Sequence, residues 1–374
     1  MDPRYHQLAK LLVHHSIRVR EGDKVLIEAT AIPSAMLCAL SQAVTEAGGI
    51  PIFNLSDTEI LRQFLRNPDT EALRRACQSV GELEAERMRH MDCYIGLRGM
   101  LNAAAMADVP PENMAIYQKY WMQPVHSKLR VPNTRWVVLR WPTSALAQLA
   151  DMSDEAFRDY FFQVCLTDYQ AMEKAVQPLQ ELMARTDRVE IKGPGTDLRF
   201  SMQGIGSLAC FGLRNLPDGE CYSAPVRDSV EGEISFNTLT NYRGVRMQDV
   251  YLKFSRGKVV EARSSHSAAL NTLLDTDEGA RYVGEFALGF NPYITRAIGD
   301  TIFDEKMRGS LHLALGNCYQ AADNGNHSAI HWDLVLSQEA GGEIYFDGQL
   351  IRQNGLFVPS QLQQLNPQAL TNRL

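Results

Sequence analysis

Apolar residues in the first half of the chain alternate between short continuous runs and helical stripes. The runs predict strands at residues 24–29, 50–54, 92–97 and 135–139. The stripes predict helices at residues 3–20, 34–47, 57–89 with a break at 67–68, 102–123 in pieces, and 153–186. Strand, helix and strand at this spacing indicate a parallel sheet with right-handed crossovers. Pro178 is expected to kink or divide the last helix, because proline lacks the backbone N–H that a helix interior needs.

The pattern changes near Thr186, where short alternating strands separated by glycine turns begin. The pairs Arg256-Gly257 and Asp347-Gly348 each join two alternating segments, as in β-hairpins. One helix is expected at residues 266–274. The sequence therefore predicts two domains. The first is an α/β domain with a parallel sheet over residues 1–186, and the second is a β-rich α+β domain with a curved or barrel-like sheet over residues 187–374.

Composition narrows the class of protein. The chain has 374 residues, of which 45% are hydrophobic, and a formal net charge of -7. Because no block of Lys and Arg is present, we do not expect a nucleic acid as the partner. A small molecule or a peptide is the expected binding partner. The seven cysteines are scattered without a CxxC pair, which argues against a disulfide framework or a thiolate zinc site and fits a cytoplasmic protein. No apolar run is long enough to cross a membrane, and the N-terminus does not resemble a signal peptide.

Candidate chemistry concentrates in the segment GSLHLALGNCYQAADNGNHSAIHWDLV, residues 309–335. His331 and Asp333 are two apart in a predicted strand, so they project to the same face, with Trp332 on the other. His312 lies in a second strand-like segment. Two histidines in a half-buried sheet are often only structural, but an Asp on the same face favours a divalent metal site. His126, His266 and His327 are expected at the surface or in loops.

Three carboxylates could complete such a site. Glu220 lies in NLPDGECYSAP, Glu285 in RYVGEFALGFNP and Glu305 in TIFDEKMRGSLH. The alternatives are a turn carboxylate for Glu220, a solvent-reaching strand end for Glu285 and a surface charge beside a lysine for Glu305. Mixed His and carboxylate ligation suits Zn, Co, Mn or Fe, and the number of acidic groups suits two ions. Two neighbouring ions can polarise a carbonyl and activate water, which is the chemistry of peptide or amide hydrolysis.

Four segments, taken in order, resemble one known family: DGECYSAP, YVGEFALG, FDEKMRGSLHLALGNCY and NHSAIHWDLV. They are similar to the thermophilic dinuclear metallo-aminopeptidases, that is, the aminopeptidase S, aminopeptidase T and leucyl aminopeptidase relatives. The opening LAKLLVHHSIRVREGDKVLIEAT is similar as well, so the resemblance covers most of the chain. It implies an N-terminal α/β domain, a C-terminal metallopeptidase domain, peptide substrates, two divalent ions (Zn, Co or Mn) and a homodimer.

The resemblance also implies roles for individual residues. The metal ligands that it implies are Glu220, Glu285 as the bridging residue, His312, His331 and Asp333. Tyr319 matches a tyrosine that holds or polarises the substrate carbonyl. Glu305 matches a further acidic ligand, although its spacing to His312 is longer than in the best-known members. Glu220 or Glu285 is expected to take a proton from the attacking water, and the sequence leaves open which one does.

A rival enzyme class is a mononuclear Fe(II) ring-cleaving dioxygenase on the same fold. Its two-His, one-carboxylate triad could be His312, His331 and Asp333. The presence of Glu220 and Glu285 argues against it, because a triad enzyme does not need them. A scaffold protein on a degenerate peptidase fold and a cysteine nucleophile at Cys221 or Cys318 are weaker alternatives, since every candidate ligand is present and no base stands beside either thiol in sequence.

Overall fold

The computed structural model describes residues 2–242 and 244–371. Its strands are β1 (Lys24–Thr30), β2 (Ile50–Ser56), β3 (Cys93–Gly99), β4 (Arg135–Trp141), β5 (Arg188–Gly193), β6 (Thr196–Ser201), β7 (Leu208–Cys210), β8 (Asn215–Leu216), β9 (Glu220–Ser223), β10 (Glu231–Phe236), β11 (Thr240–Tyr242), β12 (Val245–Met247), β13 (Val250–Ser255), β14 (Lys258–Arg263), β15 (Val283–Gly289), β16 (Ser310–Gly316), β17 (His331–Ser337), β18 (Glu343–Phe346), β19 (Gln349–Gln353) and β20 (Leu356–Phe357).

Helices connect these strands. The α-helices are α1 (Pro3–Lys10), α2 (Ser34–Glu46), α3 (Thr58–Leu65), α4 (Thr70–Arg89), α5 (Pro111–Tyr117), α6 (Val131–Asn133), α7 (Ser144–Leu149), α8 (Asp154–Cys165), α9 (Tyr169–Arg185), α10 (Ser267–Leu274), α11 (Thr301–Asp304) and α12 (Pro367–Thr371). Two π-helical segments follow α1 and α5, at Leu11–Ser16 and Gln118–Arg130. The 3-10 turns are Glu278–Arg281, Gln320–Ala322 and Ser360–Leu365.

The chain forms two compact units, and the first contains residues up to 166 together with 212–216. Its sheet has the order β2-β1-β3-β4-β8, and every neighbouring pair is parallel. Val25, Leu26 and Ile27 are fully buried in β1, as expected of a strand in a parallel sheet that is covered on both faces. The predicted parallel sheet of the first half is therefore confirmed. The limits of the two domains, residues 1–186 and 187–374, stay a prediction.

The predicted long helix at residues 153–186 is two helices, and the division does not fall at Pro178. It falls between α8 and α9, where the side chain of Asp168 accepts a hydrogen bond from the backbone N–H of Ala171 and so begins a new helix. Pro178 lies within α9 and does not divide it. The predicted break at residues 67–68 is confirmed, because α3 ends at Leu65 and Asp69 caps α4.

The second unit contains residues 167–211 and 217–371, as far as the chain is described, and it is built on antiparallel sheets. The larger sheet has the order β14-β13-β10-β6-β5-β18-β19-β20, the second has the order β17-β16-β15-β9-β7, and β11 pairs with β12. Both predicted hairpins are confirmed. Arg256 and Gly257 have φ of 48° and 79°, and Asp347 and Gly348 have φ of 49° and 82°, as two-residue hairpin turns require.

The prediction of a barrel-like sheet is wrong for the described residues, because neither antiparallel sheet closes on itself. The two sheets instead contact each other through aromatic side chains. The ring of Phe286 on β15 lies 5.1 Å from that of Phe200 on β6 and 6.5 Å from that of Phe346 on β18, measured between centroids. Since neighbours alternate along a strand, Glu285 and Ala287 face away from this core.

Three further expectations concern His126, the cysteines and membrane-spanning helices. His126 is buried rather than at the surface, and its Nδ1 accepts a hydrogen bond of 3.1 Å from Arg130. All seven cysteines are free thiols, as predicted. Within residues 2–242 and 244–371, none of the helices combines the length and the apolar character that crossing a bilayer takes.

Candidate metal centre

One face of the five-stranded sheet carries the predicted ligands. Ala314 on β16 pairs with Glu285 on β15 and with Asp333 on β17, so these three residues point the same way. Along each strand the face repeats every second residue. The register therefore places five predicted ligands on one face: Glu220, Glu285, His312, His331 and Asp333.

The residues that stand between these side chains on the ligand face are small. Ala287 and Ala314 lie on the same face as the ligands, and Gly289 pairs with Glu220. The opposite face is apolar. There Trp332 is buried, and its Nε1 donates a hydrogen bond of 3.0 Å to Thr240 Oγ1, which confirms that it points away from His331 and Asp333.

Glu285 lies at the centre of the cluster. Its Oε1 is 3.4 Å from His312 Nε2, and its Oε2 is 3.3 Å from His331 Nε2. Asp333 Oδ1 is also 3.3 Å from His331 Nε2, and Glu220 Oε2 is 3.7 Å from His312 Nε2. The cluster thus contains two sets of three ligand atoms that share Glu285: one with Glu220 and His312, the other with His331 and Asp333.

The donor atoms fit cations. His331 Nδ1 lies 2.7 Å from the carbonyl oxygen of Asn317, so this nitrogen carries the proton and donates it. Nε2 of His331 faces carboxylate oxygens of Glu285 and Asp333, whose charges outweigh burial and raise the pKa of this imidazole, so a bound cation would take the place of the proton on Nε2. Glu220 Oε2 and Asp333 Oδ1 are buried and have no hydrogen-bond partner among the described residues. Buried, converging lone pairs of this kind are stable only around a positive charge.

The close contact between carboxylates and imidazoles shifts the pKa values of His312 and Glu285. Burial lowers the pKa of His312, but the hydrogen bond to Glu285 and the charges of Glu220 and Asp333 outweigh burial and raise it to about 9. Burial raises the pKa of Glu285, but the two imidazoles outweigh it and hold the pKa below its usual value. The carboxylates therefore attract positive charge strongly into this space.

Glu305 and Lys306 belong to the cluster, which corrects the reading of Glu305 as a surface charge. Lys306 is only 1% exposed, its Nζ lies 2.5 Å from Glu220 Oε1, and it also pairs with Glu305. Glu305 also lies within ligand reach of His312 and Asp333. Gly289 permits this approach, because a Cβ there would lie 2.5 Å from the carbonyl oxygen of Met307.

Sequence reasoning missed Lys306. A lysine beside a glutamate is typical of a solvated surface, and burial of this lysine depends on long-range contacts. Glu220 begins strand β9 and is buried, rather than lying in a turn, and Glu285 is buried inside β15 rather than reaching solvent.

Tyr319 borders the cluster next to His331. Its ring centroid is 4.7 Å from that of His331 and 5.7 Å from that of Tyr222, and the residue is 46% exposed. Both the contact and the exposure fit a residue that meets a substrate at the metal ligands. The structure therefore brings all seven predicted site residues to one place, and their roles stay a prediction.

Comparison with known proteins agrees with this geometry. The sequence profile of the family described as thermophilic metalloprotease (M29) matches residues 1–355. Aminopeptidase T of Thermus thermophilus is 28% identical over 89% of this chain and 92% of its own. Aminopeptidase T of Thermus aquaticus is 26% identical over 95% and 96%.

Solved structures also resemble this chain. Wild-type AmpT from Thermus thermophilus superposes with a TM-score of 0.83 at 25% identity, over 96% of this chain and 99% of that one. The 2,5-dihydroxypyridine dioxygenase from Pseudomonas putida KT2440 superposes with a TM-score of 0.61 at 13% identity, over 97% and 99%, which shows a shared fold alone. The resemblance read from the sequence is confirmed: the chain belongs to the thermophilic metalloprotease family M29 and is a metal-dependent hydrolase.

Proposed function

We propose that this chain is an aminopeptidase that hydrolyses N-terminal residues from peptides with two divalent ions, Zn, Co or Mn. The observation that carries the proposal is the position of Glu285, whose two carboxylate oxygens face two different imidazoles. A carboxylate placed in this way can bridge two ions. Relatives that match nearly the whole chain carry the name aminopeptidase, which supports the choice of substrate.

The charge of the cluster supports two ions rather than one. When bound cations keep all four carboxylates ionised and both imidazoles neutral, Glu220, Glu285, Glu305 and Asp333 face the ammonium of Lys306, and these five groups sum to three minus. One divalent ion leaves the cluster negative in a buried place, which is costly. Two divalent ions make it positive by one charge, and such a site favours the anionic transition state of amide hydrolysis.

Two divalent ions would supply Lewis acidity toward the peptide carbonyl and toward water. The chain orients its own ligands. Asn317 fixes the tautomer of His331, and Lys306 holds Oε1 of Glu220 so that Oε2 faces the imidazole of His312. These contacts fix the ligand atoms before a substrate binds.

In this proposal Glu220 or Glu285 takes the proton from the attacking water and passes it to the leaving amine. Both oxygens of either carboxylate already have a neighbour in the cluster, so the carboxylate that acts as the base must release one of these contacts. Tyr319 is half-exposed against His331, and from there its hydroxyl can donate a hydrogen bond to the oxyanion that forms on the carbonyl.

The direct test is Glu285→Gln, with Glu339→Gln as a matched control because Glu339 is an exposed carboxylate. Metal content and turnover of a peptide series are measured for both. We expect Glu285→Gln to lose bound metal and at least about 100-fold in kcat/KM, in the range that removal of a coordinating or catalytic group costs. The control should match the wild type. Unchanged turnover in Glu285→Gln would remove this residue from the mechanism.

The metal content also separates the peptidase from the dioxygenase alternative, for which His312, His331 and Asp333 alone would suffice. One iron per chain would favour that alternative, and two zinc, cobalt or manganese ions favour the peptidase. Glu220 and Glu285 lie against the same imidazoles, which a triad does not need. A homodimer and a cytoplasmic location remain part of the proposal and rest on the family resemblance, and sedimentation of the purified protein tests the dimer.

A further inference from the structure

An apolar surface adjoins the metal centre on the side of Glu220. It consists of Ile205, Leu208, Cys210, Tyr222 and Tyr319, and we call it the apolar wall. Leu208 pairs with Tyr222, and Cys210 pairs with Glu220, so β7 and β9 present these side chains on the same face as the metal ligands. Ile205 and Cys210 pack against the buried cluster that contains Tyr222.

The wall is continuous with the metal ligands. Tyr319 contacts Tyr222 at 5.7 Å and His331 at 4.7 Å between ring centroids, so aromatic rings lead from the wall to a predicted ligand. Leu208 is 38% exposed and Tyr319 is 46% exposed. Exposed apolar side chains that border a few converging polar groups are typical of a ligand-binding surface.

Hydrogen bonds fix the segment that carries Ile205 and Leu208. Ser223 Oγ donates to the carbonyl oxygen of Gly206 at 2.9 Å. Ser207 and Gln180 exchange two hydrogen bonds, of 2.8 Å and 3.0 Å. Gly206 lies so close to the 3-10 turn Gln320–Ala322 that an added Cβ would be 2.5 Å from the carbonyl oxygen of Ala321. The wall is thus held in place before any ligand binds, which lowers the entropic cost of binding.

We propose that the apolar wall is the subsite for the side chain of the substrate's N-terminal residue, and that it selects aliphatic and aromatic side chains. This assignment rests on the aminopeptidase function proposed above. None of the five side chains of the wall is charged, so an Asp or Glu side chain would lose water there without gaining a partner. A leucine or phenylalanine side chain would bury apolar area against Leu208 and the two tyrosine rings.

A cleft on the opposite side of the cluster does not suit this role. It is lined by Thr238, Asn241, Thr301 and Asp333 among others, and it has room for about one water-sized group. Asn241 Oδ1 is buried there without a hydrogen-bond partner among the described residues, so the cleft suits a small hydrogen-bond donor. The enclosed part of this cleft is too small for a leucine side chain.

The experiment compares kcat/KM of the metal-loaded protein for leucyl, phenylalanyl and alanyl p-nitroanilides. We expect Leu208→Ser, and independently Ile205→Ser, to lower the ratio of leucyl to alanyl kcat/KM by about tenfold, as loss of apolar contact in a side-chain pocket does. Leu356→Ser is the matched control, since Leu356 is 44% exposed on β20 in the same unit. The control should leave both the ratio and the activity unchanged.

Two results would overturn the proposal. One is a wild-type ratio retained in both Leu208→Ser and Ile205→Ser while their turnover persists. The other is a ratio that changes in Asn241→Leu instead, which would place the side chain in the opposite cleft. Thermal unfolding of each variant identifies loss of folding. In both cases the aminopeptidase function survives, whereas absence of turnover with every substrate by the metal-loaded wild type would overturn the function and the subsite together.

Discussion

Replacing Lys306 by methionine removes one charge from the buried cluster and keeps nearly the same side-chain length. Lys306 is 1% exposed and pairs with both Glu220 and Glu305. Removing one partner of a buried ion pair leaves the other charge without compensation and costs about 3–5 kcal/mol. In the metal-free protein, Lys306→Met should therefore lower the free energy of unfolding by roughly that amount.

Bound metal should reduce this loss, because divalent ions beside Glu220 supply positive charge that the lysine no longer provides. The assay is denaturant unfolding of the variant and the wild type, with and without metal, followed by a signal from the second unit. Lys192→Met is the matched control. Lys192 pairs with Glu190 at 3.3 Å on the surface, where solvent screens the pair, so its loss should leave the free energy of unfolding nearly unchanged in either state.

Lys306→Arg keeps the charge and should recover part of the stability. A Lys306→Met variant that is as stable as the control without metal would contradict a buried charge pair at this position. A loss of stability that metal leaves unchanged would also contradict it, since the compensating charge would then lie elsewhere.

Three further predictions follow from other contacts. Tyr319→Phe should lower kcat by about 10- to 100-fold with little change in metal content, because only the oxyanion loses a donor; an unchanged kcat would exclude this role. Asn317 holds His331 through its backbone carbonyl, which a side-chain substitution keeps, so Asn317→Ala should leave the metal affinity within about threefold of the wild type. His331→Ala should instead lose one bound ion. Calorimetric titration with metal measures both outcomes. Burial lowers the pKa of His126 to about 4 from 6.5, so between these pH values the unfolded chain binds a proton at this residue that the folded protein does not. The free energy of unfolding is therefore unaffected by this group above pH 6.5 and falls by about 3 kcal/mol as the pH drops toward 4. His126→Gln should flatten the dependence of unfolding free energy on pH in this window, and His14→Gln, at an exposed position, should not.

The two-residue period of a strand was sufficient to predict which side chains of the site share a face when they lie on the same strand. His331 and Asp333 share a face, with Trp332 buried on the other, because the strand period is two residues. The parallel order of β1, β2 and β3 follows in the same way from strand–helix–strand spacing.

The pattern of apolar and polar residues does not predict features that depend on contacts between distant segments. The pairing of Ala314 with Glu285 and Asp333 requires the register of three strands, so the residue pattern could name Glu285 as a candidate partner of Asp333 but could not place the two side by side. Burial of Lys306 requires its segment to cross Gly289 closely. The open sheets differ from the predicted barrel because alternating strands specify a buried face and not whether the edges meet.

The most direct test of the central claim is a titration of the metal-free protein with Zn, Co or Mn, followed by activity on a peptide substrate and by bound metal per chain. We expect two ions per chain, with activity requiring both, and loss of this stoichiometry in Glu285→Gln. Full activity with a single bound ion, or two ions bound equally well without the Glu285 carboxylate, would contradict a two-ion centre that is bridged by this residue.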